Sequence, residues 1–243
     1  MSYGFKIVIE GKYACFTRPE FKVERVSYDV PTPGAIEGIL KSIYWKPAIK
    51  YVVDKIIVFN PIKFETIRRN EVKEKVKFSA MKSLVKGENK DEDPCIYTSE
   101  ERKQRTAVVL KDVSYGIEFH FELTGLKSEG EENSGAKHAS IIERRLKNGQ
   151  YFRTPCMGCS EFPIYRTRLV EEFDVDICEE NLQKKDVDLG FMCYRMEFED
   201  KGIPVNGNWE YPVFSDKANA TYYRPHMRRG VIDVNAYREE ILC

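Results

Sequence analysis

RTAVVLKDVSYGIEFHFEL, residues 105–123, decides the fold. Apolar and polar residues alternate through it, and Val109, Val113, Tyr115, Ile117, Phe119, Phe121 and Leu123 share one face. The run is far longer than an ordinary strand, so it reads as a spine on which other strands assemble. His120 lies on the opposite face and reads as structural. The aromatics invite comparison with RNA-stacking sheets, but they share their face with valines and no RNP motif is present, so they read as core.

The neighbouring segments follow from this spine. Residues 62–110 read as a long hairpin arm with a charged tip that resists ordering. Residues 52–59 read as a buried strand continuing toward Ile67. Before them, Thr32 is a suitable N-cap and Pro33 a suitable first helical residue. Ile36, Ile39, Leu40 and Ile43 form a stripe at helical spacing, and Pro47 stops the helix, which places Tyr44 in its last turn. Residues 5–16 alternate as a first strand. Downstream, residues 140–149 read as a short helix with Ile141, Ile142 and Leu146 inward and Arg144, Arg145 and Lys147 outward. Gly149 is suited to follow its C-terminus. Residues 162–173 read as a further strand. The order is βαββαβ, an α+β, ferredoxin-like (RRM-like) domain over residues 1–180. Residues 181–243 read as a small antiparallel sheet domain. There Met192, Tyr194, Met196 and Phe198 alternate with polar residues, and Asn206-Gly207 signals a hairpin turn.

Composition narrows the function. The 243 residues are 42% hydrophobic, enough to bury a substantial core. Lysine plus arginine and aspartate plus glutamate both number 39, so there is no global basic field. Nucleic-acid binding must come from local patches, and basic clusters lie at residues 68–77, 144–153, 166–168 and 224–229. Any one cluster is more often a solvated face. The seven scattered cysteines, an N-terminus without a secretory pattern and the lack of a membrane-length apolar run point to a reducing, cytoplasmic compartment with free thiols and no membrane. No Walker loop, nucleophile elbow, HExxH or dinucleotide fingerprint is present. Cys156-x-x-Cys159 lacks a second pair or a nearby histidine, so its cysteines read as structural loop thiols, with neither metal nor cofactor expected.

Lys137-His138 carries the chemistry. The pair follows a Gly/Ser-rich loop, residues 128–136, and opens an apolar stretch that reads as a helix. A lone histidine is more often a cap or a solvated side chain. Here a helix N-terminus disfavours imidazolium, while backbone N–H groups and Lys137 favour an anion. A neutral imidazole beside a bound phosphate is a ready general base. RNA carries its own nucleophile, the 2′-hydroxyl. Cleavage then needs a base, a donor or cation for the phosphorane charge, and a proton for the leaving 5′-oxygen. Histidine, lysine and a tyrosine can supply all three.

Three segments together resemble a known family: Ser42-Ile43-Tyr44-Trp45-Lys46-Pro47; Gln104-Arg105-Thr106 with Val109-Leu110-Lys111-Asp112-Val113; and Gly135-Ala136-Lys137-His138-Ala139-Ser140-Ile141. Over essentially its whole length the chain resembles the Dvulg-type, subtype I-C, CRISPR-associated Cas-five endoribonucleases. That resemblance implies a ferredoxin-like domain with a small C-terminal β-sheet domain. It implies metal-independent cleavage at the 3′ base of the repeat hairpin in CRISPR precursor RNA (pre-crRNA). It further implies retention of the 5′ handle of the product (crRNA) as a subunit of the interference complex. The family's catalytic residues fall on Tyr44, Lys137 and His138, and Ala139 departs from the aromatic that some members carry. By position and charge, Arg68, Arg105, Arg144 and Arg145 are expected phosphate contacts. Two other expectations are a non-cleaving handle-binding subunit and duplex-DNA binding through the basic patch at Arg228-Arg229.

Overall fold

The fold is seen in a computed structural model that describes residues 3–21, 23–73, 77–87, 95–126, 134–200, 202–208 and 210–242. It is a mixed α/β structure with antiparallel sheets. The elements are β1 (Tyr3–Ala14), α1 (Pro33–Ile43), β2 (Ile49–Val58), β3 (Phe64–Val72), α2 (Phe78–Val85), β4 (Arg102–Leu123), α3 (Gly135–Asn148), β5 (Arg166–Val170), α4 (Glu179–Gln183), β6 (Val187–Asp188), β7 (Met192–Phe198), β8 (Ala218–Tyr223), β9 (His226–Met227) and β10 (Val231–Asp233). A 3-10 helix, Val234–Glu240, follows.

β4 is the spine. One edge pairs with β1, from Tyr3↔Phe121 to Ala14↔Leu110. The other edge is divided between two strands. β2 takes the C-terminal half, from Ile49↔Leu123 to Val58↔Tyr115, and β3 takes the N-terminal half, from Phe64↔Leu110 to Val72↔Arg102. Between them Asp112 adopts a left-handed φ of 50°, and its carbonyl accepts from Asn60 Nδ2 at 2.7 Å. The expected continuation of the second strand to Ile67 therefore breaks after Val58. Pro61 has no N–H to offer a ladder, and the chain restarts as β3. β3 and the first half of β4 form the two sides of the arm. Its outer part carries α2, a helix the sequence reading did not anticipate. Residues 74–76 and 88–94 of the expected tip lie outside the described residues.

The main sheet has the order β10-β2-β4-β1-β5. Helices α1 and α3 cover one face. Ile36, Ile39, Leu40 and Ile43 of α1 meet Ile7, Ile9, Tyr51, Ile117 and Phe119 of the sheet in one buried cluster. Thr32 caps α1 by accepting from the Ala35 N–H at 3.2 Å, with Pro33 in the first turn. On the other face, Val8, Ile57 and Phe59 pack under Phe173, Val175 and Ile177. Gly116 sits where that cover presses closest. A Cβ there would lie 2.8 Å from Phe173 and 2.9 Å from Phe59, whose ring is 1% exposed.

Several boundaries differ from the sequence reading. α3 begins at Gly135 rather than Ser140, because extended Ser134 takes the N-cap position. Gly149 ends it with a left-handed φ of 62°, and its N–H bonds the Arg145 carbonyl. β5 is shorter than residues 162–173, since Cys156 and Pro163 pair in an isolated bridge instead. Asn206-Gly207 lies in a turn within the long β7–β8 connection and does not join two strands directly. Residues 181–243 supply two small sheets, β6–β9 and β7–β8, but β10 crosses to pair with β2 in the main sheet. No helix among the described residues is long and apolar enough to cross a membrane.

Gly116→Ala is expected to lower stability by about 1–3 kcal/mol through overpacking. Urea unfolding with an unchanged m-value would measure it, and a wild-type midpoint would show that the Phe59–Phe173 contact yields freely.

Candidate active site

α1 delivers Tyr44 and α3 delivers His138. Tyr44 stands one residue beyond α1, not in its last turn, with extended backbone (φ −151°, ψ 129°). Its N–H still donates to the Leu40 carbonyl at 3.0 Å, and its own carbonyl accepts from the Tyr51 hydroxyl at 2.7 Å. Burial raises the Tyr51 pKa far above the usual range, so that hydroxyl stays protonated and remains a donor. With both backbone groups held, the Tyr44 ring points toward α3.

On α3, His138, Ile142 and Leu146 form the buried stripe. His138 thus holds a core position at the helix start, and its N–H bonds the Ser134 carbonyl at 3.2 Å. The Tyr44 hydroxyl lies 2.9 Å from His138 Nδ1, across 94 residues of sequence. Either tyrosine or imidazole can supply the shared proton, depending on the ring tautomer. Phe121 of β4 meets the His138 ring edge-on, with centroids 6.4 Å apart. Both partners are buried: Tyr44 is 4% and His138 1% exposed. Lys137, the preceding residue, is exposed on the same first turn. Most of the expected Gly/Ser-rich loop, its residues 128–133, lies outside the described residues.

The four arginines expected to contact phosphate separate into two places. Arg144 and Arg145 are on α3. Arg144 is exposed, as expected, but Arg145 turns inward instead of outward. Its Nη1 donates to the Ile43 carbonyl at 2.5 Å, and its guanidinium carbon lies 5.2 Å from the Tyr44 ring centroid. The spacing held this signal, since residue 145 is seven beyond His138 and so returns to its face. Arg68 and Arg105 are on the arm. Arg105 stands on the order of 50 Å along β4 from Phe121, so the arm cations do not join the Tyr44–His138 pair. Arg68 is exposed, while Arg105 is half-buried and pairs with Glu71 at 3.4 Å. Arg25 also reaches Glu71, and Arg25 and Arg69 share Glu161.

Other expected features take structural roles. His120 Nδ1 lies 2.8 Å from Asp54, which also receives Arg238. The basic run at residues 224–229 is answered by acids. Arg224 pairs with Asp188 and holds that carboxyl down to about 2, while His226 and Arg228 meet Asp186. Arg224 and Arg228 are thus engaged by carboxylates, while Arg229 is exposed. Cys159 contacts Thr17 Oγ1 at 3.9 Å and the Cys15 carbonyl at 3.6 Å. A hydrogen bond from Cys15 lowers Cys159 to about 6, while Cys15 holds its proton more firmly. Cys156 instead faces the Thr154 carbonyl. Among the described residues no three His, Cys, Asp or Glu side chains group as a metal site.

Residues 5–235 match the family model described as CRISPR-associated protein (Cas_Cas5), of the Cas5d type. The chain belongs to the Cas5d family. It is 40% identical to the CRISPR pre-crRNA endoribonuclease Cas5d of Mannheimia succiniciproducens, over 99% of both chains. It is 38% identical to the CRISPR pre-crRNA endoribonuclease Cas5d of Thermus thermophilus, over 82% of this chain and 76% of that one. A solved CRISPR-associated protein shares the fold at a TM-score of 0.53 and 23% identity, covering 95% of this chain and 90% of the other. A functionally uncharacterized Streptococcus mutans protein, SMU1763c, also has a TM-score of 0.53, at 21% identity over 94% and 90%.

The burial difference among the histidines is directly measurable. Diethylpyrocarbonate should acylate His226, whose side chain is 35% exposed, and spare His138 until the protein is denatured. Mass spectrometry reads the sites. Equal native rates at His138 and His226 would contradict the buried placement.

Proposed function

We propose that the chain is a metal-independent endoribonuclease that recognises the CRISPR repeat hairpin and cuts precursor crRNA. It then holds the 5′ handle as a subunit of the subtype I-C interference complex. The observation that carries this proposal is the 2.9 Å approach of the Tyr44 hydroxyl to His138 Nδ1 with Lys137 beside it. The two Cas5d relatives named as pre-crRNA endoribonucleases support it. The strand order β5-β1-β4-β2 with α1 and α3 on one face supports a ferredoxin-like domain over residues 1–180. The β6–β9 and β7–β8 pairs support a small C-terminal sheet domain within residues 181–243, from which β10 departs to join the main sheet.

In the proposed reaction His138 takes the proton from the 2′-hydroxyl as its oxygen attacks the adjacent phosphorus. Lys137, on the exposed first turn of α3, stabilises the charge gathering on the phosphorane oxygens. The P–O5′ bond breaks, and the leaving oxygen receives a proton from Tyr44 or, if Tyr44 instead orients the nucleophile, from His138 after its first transfer. The products are a 2′,3′-cyclic phosphate and a 5′-hydroxyl. Because Tyr44 and His138 are buried, RNA binding must open access to them. Of the four expected phosphate contacts, exposed Arg68 and Arg144 are best placed to meet RNA, and Arg105 keeps its ion pair.

The same burial favours a second reading, a non-cleaving handle-binding subunit in which Tyr44 and His138 are core residues. One assay separates them. Purified protein with its cognate repeat RNA in excess EDTA should cut once and leave a cyclic phosphate. Tight binding without cutting would favour the second reading. His138→Ala should reduce the rate by roughly 10²–10⁴-fold and Lys137→Ala by roughly 10²–10³-fold, with RNA affinity largely kept. Tyr44→Phe should also lose cutting. Wild-type rates in any of the three variants would remove that residue from the mechanism.

A further inference from the structure

One guanidinium makes two contacts at the end of α1, and both bear on Tyr44. Arg145 Nη1 donates to the Ile43 carbonyl, the last of α1 and an acceptor at the negative end of the helix dipole. The same guanidinium lies over the Tyr44 ring, 5.2 Å from its centroid. We propose that Arg145 is a positioning residue for the Tyr44–His138 pair and not a contact for RNA phosphate. This rests on the endoribonuclease reading above.

The remaining freedom of Tyr44 explains why such a residue is needed. Its backbone is fixed on both sides, by Leu40 through the N–H and by Tyr51 through the carbonyl. Only the side-chain torsions can carry the hydroxyl away from His138. A cation over the ring and packed against the adjacent carbonyl restricts those torsions. His138 and Arg145 are also two turns apart on one face of α3. A single helix therefore carries both the acceptor at the hydroxyl end of the tyrosine and the cation over its ring. Because both groups are on α3, its position sets them relative to the tyrosine together. The Arg145 carbonyl accepts from the Gly149 and Gln150 N–H groups, which ties its backbone into the helix C-terminus. Arg144, one residue earlier, is exposed and has none of these contacts to α1, so the two neighbours should behave differently.

The test measures rate and affinity separately. Single-turnover cleavage at saturating repeat RNA and Kd at fixed salt are compared for wild type, Arg144→Ala, Arg145→Ala and Arg145→Lys, each checked for folding by circular dichroism. Arg145→Ala should lower the saturating rate roughly 10–100-fold, the scale of a small misplacement of a reacting group, and leave Kd unchanged. Arg145→Lys should recover part of the loss, because it keeps the charge but not the planar fork. Arg144→Ala should weaken binding and keep the saturating rate. A weakened Kd with an unchanged saturating rate in Arg145→Ala would make it an RNA contact and overturn the proposal, as would no change in either. If Arg145→Ala does not fold, Arg145→Lys and Arg145→Gln carry the same comparison. A second readout is independent of cleavage. With tyrosine labelled at ring carbon ζ, the Tyr44 resonance should shift or broaden in Arg145→Ala or Arg145→Gln. An unmoved Tyr44 signal would refute the positioning role even if wild-type protein cuts no RNA. Failure of wild type to cut, with the resonance moved as expected, would sink the endoribonuclease reading alone.

Discussion

The pairing of β4 along both its edges is the constraint on which the structure depends. Its C-terminal half is enclosed by β1 and β2, so its inward residues are buried and α1 and α3 are drawn onto that face. α1 runs into β2 through Tyr44, and α3 follows the end of β4. The end of one helix and the start of the other are thereby brought over the same stretch of sheet, where Phe121 lies under His138. The other half of β4 leaves the core with β3 as a two-stranded arm. One strand thus both organises the buried pair and supports the structure that reaches away from it.

The pair combines chemistry and packing in a way that sets its requirements. A tyrosine and a histidine within hydrogen-bond distance can exchange a proton, and burial protects that exchange from water. The same burial keeps both groups from a polymer substrate. Lys137 is the exposed member, so a phosphate would meet the lysine before the histidine. In the proposed mechanism, RNA binding has to uncover His138 without separating it from Tyr44. An arginine that holds the tyrosine from the same helix suits that need.

Much of this was legible in the sequence because it depended on local pattern. The alternation from Val113 to Phe121, the Thr32-Pro33 start of α1 and the Gly149 stop of α3 each correspond to a residue with a defined backbone preference. The arm was legible from the length of the β4 run. The details that were missed depend on long-range contacts. The seven-residue spacing from His138 puts Arg145 on the inner face of α3, but the α1 carbonyl that it meets is visible only once the two helices are packed. Asn206-Gly207 has hairpin chemistry, yet in the surrounding connection the Asn206 Oδ1 accepts from the N–H groups of Val213 and Asn208. The basic run at residues 224–229 suggested a phosphate patch because its partners, Asp186 and Asp188, belong to the segment that pairs across from it. The burial of His138 was likewise hidden, although residues 138, 142 and 146 lie at the spacing of a core stripe.

The central claim is that Tyr44 and His138 act as one unit. A double-variant cycle of single-turnover cleavage addresses it most directly, comparing wild type, Tyr44→Phe, His138→Ala and the combination of both. A unit predicts that the combined variant is no slower than the slower single variant, because breaking the pair once removes its contribution. Losses that multiply would show two residues acting independently, and would contradict the account.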